Sequence, residues 1–195
     1  VPYSSISPNM INALVATEDA RFFEHSGIDG RALMRVLVKT MILQQRNAGG
    51  GSTITQQLAK QLYSPTANNF LERALQKPNE WVIATELERL YTKQEIIAMY
   101  LNQFDFLNNA VGIKSAAQVY FNTTPAELTV EQAATLVGMC KNPAYYNPVR
   151  FGDRTRDRRN VVLQQMVKSD FLSQSECDSL QTTPLNLDFH RIDHK

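Results

Sequence analysis

Three consecutive glycines, Gly49, Gly50 and Gly51, run straight into a helical pattern, and this junction constrains the chain more than any other stretch. A helix that starts on a glycine loop leaves N–H groups free at its N-terminus, where the helix dipole also favours negative charge. Ser52 is the N-cap that the pattern suggests, because its hydroxyl can accept from those first N–H groups. Behind it, Ile54, Leu58 and Leu62 repeat every four residues as an apolar stripe. Thr53, Gln56, Gln57 and Lys60 stand at i, i+3, i+4 and i+7 and share another face. That face carries amides, a hydroxyl and a cation, with no acid to neutralise it, and reads as a cradle for a phosphorylated ligand. The competing reading is a solvated helix face, although such faces ordinarily mix lysine with glutamate.

The 195 residues suffice for one domain, in one lobe or two, with a sizeable core. Hydrophobic residues at 43% and charged residues at 20% are ordinary for a globular chain. The net charge of +1, with no basic run interleaved with aromatics, offers no groove for nucleic acid. Cys140 and Cys177 lack metal-ligand spacing and the three histidines are scattered, which argues against zinc. Whether the two cysteines pair is left open. There is no signal peptide and no run of about 20 apolar residues that could span a bilayer. The abrupt start at Val1 reads as an excised domain.

Ser7-Pro8 opens the first helix with a capping serine and a proline at the first helical position. Ile11, Leu14, Val15 and Glu18 then fall on one face, so a carboxylate lies on the apolar side beside Asp19. Burial there would raise the pKa of Glu18, as a general base or acid near neutral pH requires. The alternative is a buried glutamate paired with an arginine such as Arg21. His25 reads as a structural, hydrogen-bonding histidine in a turn after Phe22-Phe23. Residues 31–45 are helical and apolar, interrupted by Arg35, Lys39 and Thr40, and suit either a core helix or a membrane interface. Residues 63–72 read as a loop. Glu80, Ile83, Ala84 and Leu87 place a second acid on an apolar face, with Lys77 three residues before it. Thr92-Lys93-Gln94-Glu95 is a capping box, and Lys93 is expected to lie away from the site and matter little. Asn108-Asn109 marks a turn, and Thr124 and Thr129 begin two more helices. A long helix spans about 153–167, and residues from 176 onward read as a tail or linker. With no alternating strand pattern, the fold class is mainly α.

These motifs resemble those of the peptidoglycan glycosyltransferase domain, glycosyltransferase family 51, of class A penicillin-binding proteins. Residues 18–27 (EDARFFEHSG) fit the family's E-D-x-x-F-x-x-H-x-G, and residues 51–60 (GSTITQQLAK) fit G-S-T-x-T-Q-Q-L-x-K throughout. Lys77-Pro78-Asn79-Glu80 fits K-x-x-E. Residues 100–121 resemble the fourth motif, and Tyr146-Asn147-Pro148 with Arg158-Arg159-Asn160-Val161-Val162-Leu163 the fifth. The likeness covers residues 10–170. Gln76 replaces a usual arginine, for which Arg73 stands one helical turn back, and Cys140 replaces a usual proline. Leu107, Asn109 and Val111 replace glycines and a tyrosine. Leucine does not easily enter the left-handed region, so that loop is expected to differ in shape.

The resemblance implies a lysozyme-like helical lobe, a smaller membrane-associated jaw at residues 28–48, and a cleft between them. It implies polymerisation of lipid II with inversion and loss of undecaprenyl pyrophosphate, and inhibition by moenomycin. Glu18 and Glu80 would be the catalytic acids, Glu18 as base and Glu80 orienting cations or holding a divalent ion. Substrate would be bound by Asp19, Phe22, Ser52, Thr53, Thr55, Gln56, Gln57, Lys60, Arg73, Lys77, Lys141 and Arg158. No cofactor is required, although a divalent cation, Mg or Mn, is compatible with Glu80. The partners implied are lipid II, the nascent glycan strand and the membrane surface, with a C-terminal transpeptidase domain in the parent. The location implied is the outer, periplasmic face of the bacterial cytoplasmic membrane, the parent being anchored by an N-terminal transmembrane helix. A lysozyme-like hydrolase is the nearest rival. It has no need of a glycine loop followed by Gln-Gln-x-x-Lys. A binding module without catalysis would not explain two acids on apolar faces.

Overall fold

The computed structural model describes residues 1–41, 52–63 and 70–192. Gly49–Gly51 and residues 42–48 of the expected jaw lie outside them. The chain divides into two compact units, one of Val1–Ala20 with Leu101–Lys195 and one of Arg21–Tyr100. Among the described residues the structure is helical, with one isolated antiparallel bridge, Asp105 to Val111.

In the first unit, α1 (Pro8–Glu18) starts where the Ser-Pro signal places it, with Ser7 Oγ accepting from Asn9 N at 3.2 Å. The same hydroxyl donates to Leu128 O at 2.9 Å. Met10, Ala13 and Leu14 are wholly buried and Ile11 and Val15 almost so. A helix apolar round most of its circumference belongs in a core. It packs on α7 (Val130–Met139) and α8 (Gly152–Lys168). Each fully buried Leu, Ile or Met contributes about 1.5–3 kcal/mol. The rigid core helix therefore carries its last residue, Glu18, to a fixed position. α7 opens with a capping box, Thr129 with Gln132, as its sequence predicts.

Gly112 precedes α6 (Ile113–Phe121) at φ 84°, and a Cβ there would stand 2.6 Å from Asn102 O, so only glycine fits. Before it, Leu107, Asn108 and Asn109 all take left-handed backbone, at φ 61°, 52° and 64°. The expectation that Leu107 would avoid this region is overturned, and the reason is the frame around it. Leu107 N donates to Asp105 Oδ1 and Ala110 N to Leu107 O, both at 2.8 Å. Tyr120 OH donates to Phe106 O and accepts from Asn108 Nδ2 at 2.9 Å, and burial pushes its phenol up to about 12. Strain of this kind persists where neighbours over-determine it. Leu107→Asn should relieve it and stabilise the protein by about 1 kcal/mol. A melt roughly 2–4 °C higher is the expected result. An unchanged or lower melt would show that the half-buried leucine side chain is worth more than the strain.

Residues from 176 onward, expected as a tail or linker, pack on this unit. α9 (Gln174–Gln181) is capped by Ser173 and buries Cys177 completely. Arg159 of α8, also wholly buried, donates to Leu180 O at 3.3 Å, Thr183 O at 2.8 Å and Pro184 O at 3.2 Å. Its Nε donates to Asn160 Oδ1 at 3.1 Å, and Nη2 also reaches that oxygen at 2.9 Å. Burial, then the charge of Arg156, lowers its pKa below the ordinary value. Farther on, Asp188 N and His190 N donate to Tyr120 O and Val119 O. Cys140 and Cys177 are both buried thiols, Cys140 Sγ lying 3.6 Å from Leu136 O.

The second unit holds α2 (Gly30–Met41), α3 (Ile54–Tyr63), α4 (Phe70–Leu90) and most of α5 (Lys93–Gln103). α3 packs on α4, and Ile54, Leu58 and Ala59 are wholly buried, as the apolar stripe predicts. Its N-cap is Thr53 and not Ser52. Gln56 N donates to Thr53 Oγ1 at 3.1 Å and Thr53 N to Gln56 Oε1 at 2.8 Å, a reciprocal capping box. Of the expected loop at 63–72, Tyr63 belongs to α3 and residues 70–72 to α4, and residues 64–69 lie outside the described residues. α4 runs on through Pro78, which removes one intrahelical donor. The capping box at Thr92 and Glu95 starts α5 as expected, at 3.1 Å in both directions.

Candidate active site

In the first unit the site is built at the end of α1. The Glu18 side chain is 15% exposed, and Arg158 Nη2 of α8 lies 3.9 Å from its Oε1. Arg158 is equally covered, at 14%. Gly138 of α7 makes room for it, since a Cβ there would come within 3.0 Å of Arg158 Cγ. Asp19 caps α1 and is buried, whereas Lys141, just beyond α7, is exposed. Among the described residues a cation beside Glu18 is Arg158. Arg21 instead engages Glu24 at 3.1 Å and Asp29 at 3.3 Å.

In the second unit most of the motif residues hold one another. His25 Nδ1 accepts from Gly27 N at 3.0 Å, which makes it the structural histidine expected. Gly27 sits at φ 104°, where a Cβ would stand 3.0 Å from Ala84 O of α4. Its carbonyl accepts from Thr53 Oγ1 at 2.7 Å. The first motif's H-x-G is thus clamped between α4 and the start of α3. Thr55 Oγ1 and Lys93 Nζ both donate to Glu88 Oε1 at 2.7 Å. The Lys93 ammonium also stands 4.5 Å from the centre of the wholly buried Phe22 ring. Lys93, expected to lie away from the site and to affect ligand binding little, is the hub of this structural cluster. Glu88 comes from across the α4–α5 turn and Phe22 from the first motif, a pairing that no helical spacing announces. Glu88 could have been found, because it stands four residues beyond Ala84 on the face that buries Glu80.

The polar face of α3 is graded. Thr53 and Gln56 are buried, Gln57 is half-buried and accepts from Tyr100 OH at 3.1 Å, and Lys60 is exposed. Lys77 Nζ donates to Ser52 Oγ at 3.0 Å and lies 3.9 Å from Glu80 Oε2, so two motifs meet there. Glu80 is 4% exposed, on the face with buried Ala84 and Leu87. Arg73 belongs to α4, and its side chain lies outside the described residues. Among the described residues no three His, Cys, Asp or Glu side chains gather to hold a metal ion. The Lys77 ammonium is a charge near Glu80, at 3.9 Å. The chemistry of these residues is that of a covered carboxylate in one unit and, in the other, cations set on a polar frame.

A model of the Transglycosylase family matches residues 1–167. Among curated proteins the chain is 46% identical over 165 residues to Penicillin-binding protein 1A/1B of Bacillus subtilis, covering 84% of this chain and 18% of that protein. It is 39% identical over 187 residues to Penicillin-binding protein 1A of Aquifex aeolicus, covering 96% and 25%. It is 38% identical over 192 residues to Penicillin-binding protein 1A of Escherichia coli, covering 97% and 22%. The chain thus spans about a quarter or less of the length of these relatives. No described helix is long and apolar enough to cross a membrane. With the match running through both the covered acid and the cation frame, the chain belongs to the transglycosylase family, the peptidoglycan glycosyltransferases.

Proposed function

We propose that this domain polymerises lipid II, transferring a growing glycan from undecaprenyl pyrophosphate to the 4-hydroxyl of an incoming disaccharide with inversion. The observation that carries the reading is the covered Glu18 carboxylate at the end of a core helix. Such a group is held in place and shielded from bulk water, as a base for a sugar hydroxyl must be. Glu18 takes the hydroxyl proton as that oxygen bonds to the anomeric carbon of the donor. The bond from that carbon to the pyrophosphate oxygen breaks, and its electron pair leaves with the pyrophosphate. Lys60 and Lys77 stabilise the departing charge, with Ser52 and Gln57 as neutral donors. Glu80 orients Lys77, the cation 3.9 Å away. Thr53, Thr55, Gln56 and Phe22 support that frame from within. Asp19 and Lys141 are assigned to substrate binding.

Exposed Met34 and Val38 on α2, with exposed Arg35 between them, suit an anionic membrane interface. In the parent, a transpeptidase domain would follow and an N-terminal helix would anchor the protein at the outer face of the cytoplasmic membrane. The test is incubation with lipid II and, separately, with unlipidated glycan. Polymer from the first supports the proposal. Fragments from the second would establish a hydrolase, and neither product a binding module.

A phosphoglycolipid inhibitor such as moenomycin carries the same class of anionic group. Lys60→Ala should weaken its binding by about 1.5–3 kcal/mol, the scale of a hydrogen bond to a charged group. That is roughly ten- to hundredfold in affinity. Arg89→Ala is the control, since that side chain is 74% exposed and pairs only with exposed Glu86 among the described residues. Equal affinity in the two variants would remove Lys60 from the pyrophosphate site.

A further inference from the structure

We propose that Arg158 is a positioning residue for the Glu18 carboxylate and not a substrate ligand, an inference that rests on Glu18 being the base. Two neighbouring arginines of α8 are both covered, yet they are used differently. Arg159 spends its donors on backbone carbonyls and Asn160. Arg158 has a buried Nε with no hydrogen-bond partner among the described residues, and an Nη2 placed 3.9 Å from Glu18 Oε1. A buried donor left unused calls for a reason other than local hydrogen bonding.

Three features supply that reason. The 3.9 Å separation is too long for a hydrogen bond between these two atoms but short for a charge interaction away from bulk water. An arginine 14% exposed has little reach for a bulky lipid-linked sugar, whereas it already lies against the acid. Gly138 keeps α7 clear of the Arg158 stem, so the side chain passes between helices on a set path. The guanidinium thus fixes where the ionised carboxylate rests. Arg159, anchored one residue on, holds that part of α8 in register.

Steady-state turnover of lipid II by Arg158→Met, Arg158→Lys, Glu18→Gln and the Glu18→Gln/Arg158→Met double variant tests this, with melts on each. Arg158→Met should lower kcat by about 10- to 100-fold with KM changed less than about twofold, the signature of an interaction that acts in the transition state. Arg158→Lys should recover part of the loss. In the Glu18→Gln background Arg158→Met should cost no more than about a further twofold, because a residue acting through Glu18 has nothing left to act on. A raised KM at intact kcat would make Arg158 a substrate ligand and overturn the proposal. So would losses that multiply in the double variant, or full activity in Arg158→Met. Should Arg158→Met fail to melt cooperatively, Arg158→Lys decides: a fall in kcat at constant KM supports the role, and a rise in KM overturns it. If Glu18→Gln itself turns over normally, the assignment of the base fails. If Glu18→Gln is inactive while Arg158→Met is not, only the present inference fails.

Discussion

Glu18→Gln is expected to leave lipid II polymerisation at about a hundredth of its rate or below, the usual scale for removing a general base. The variant should still melt cooperatively, within a few degrees of the parent. Glutamine keeps the shape of the side chain, and the core that holds α1 is made by Met10, Ile11, Ala13, Leu14 and Val15, none of which is touched. What is lost is the capacity to accept the hydroxyl proton. Turnover of a radiolabelled or fluorescent lipid II, read beside the melt, checks both halves. Near-normal turnover by a well-folded Glu18→Gln protein would sink the assignment.

Lys93→Ala is expected to lower stability by about 3 kcal/mol, since removing one partner of a buried pair strands the other charge. The melt should fall by roughly 6–12 °C for a chain of this size. Lys93 and Glu88 are 19% and 8% exposed, and their contact is 2.7 Å, so solvent screens the pair weakly. The same ammonium lies over the Phe22 ring and shares Glu88 Oε1 with Thr55. Losing it loosens the anchor of two motifs at once. A double variant, Lys93→Met with Glu88→Gln, should melt higher than Lys93→Ala, because no charge is then left unpaired. A Lys93→Ala protein that melts with the parent would show that the cluster contributes nothing to the fold.

The contrast between these two residues shows what can be read in a sequence of this kind. Glu18 is legible because a helical period ends on it: three apolar residues at i, i+3 and i+4 call for a fourth, and an acid stands there. The caps at Ser7, Thr92 and Thr129 are legible because each is a bond between residues two or three apart. Even the misplaced cap of α3 was within reach, since Thr53 has Gln56 three residues on, whereas Ser52 has Thr55. Lys93 and Arg159 are a different matter. Lys93 meets Phe22 from 71 positions away in the chain, and Arg159 is saturated mainly by carbonyl oxygens, which every residue has and no letter marks. Leu107 escapes sequence reading for a related reason. Intrinsic preference disfavours its backbone, and a tyrosine thirteen residues later helps to enforce it.

The arginine enclosed by residues 180–184 sets the minimum length of chain that can stand alone. The family match ends at residue 167, before any of the carbonyls that Arg159 uses. A fragment stopped there would keep the motifs and lose the three backbone acceptors, leaving a wholly buried guanidinium with only Asn160 Oδ1 to donate to. α8 would then have to turn outward or admit water at the very helix that supports Arg158. Recombinant or transplanted versions of this domain therefore need to run past Pro184. A swap junction placed in the polar stretch after Ser173, where the sequence looks most dispensable, would cut through the fold.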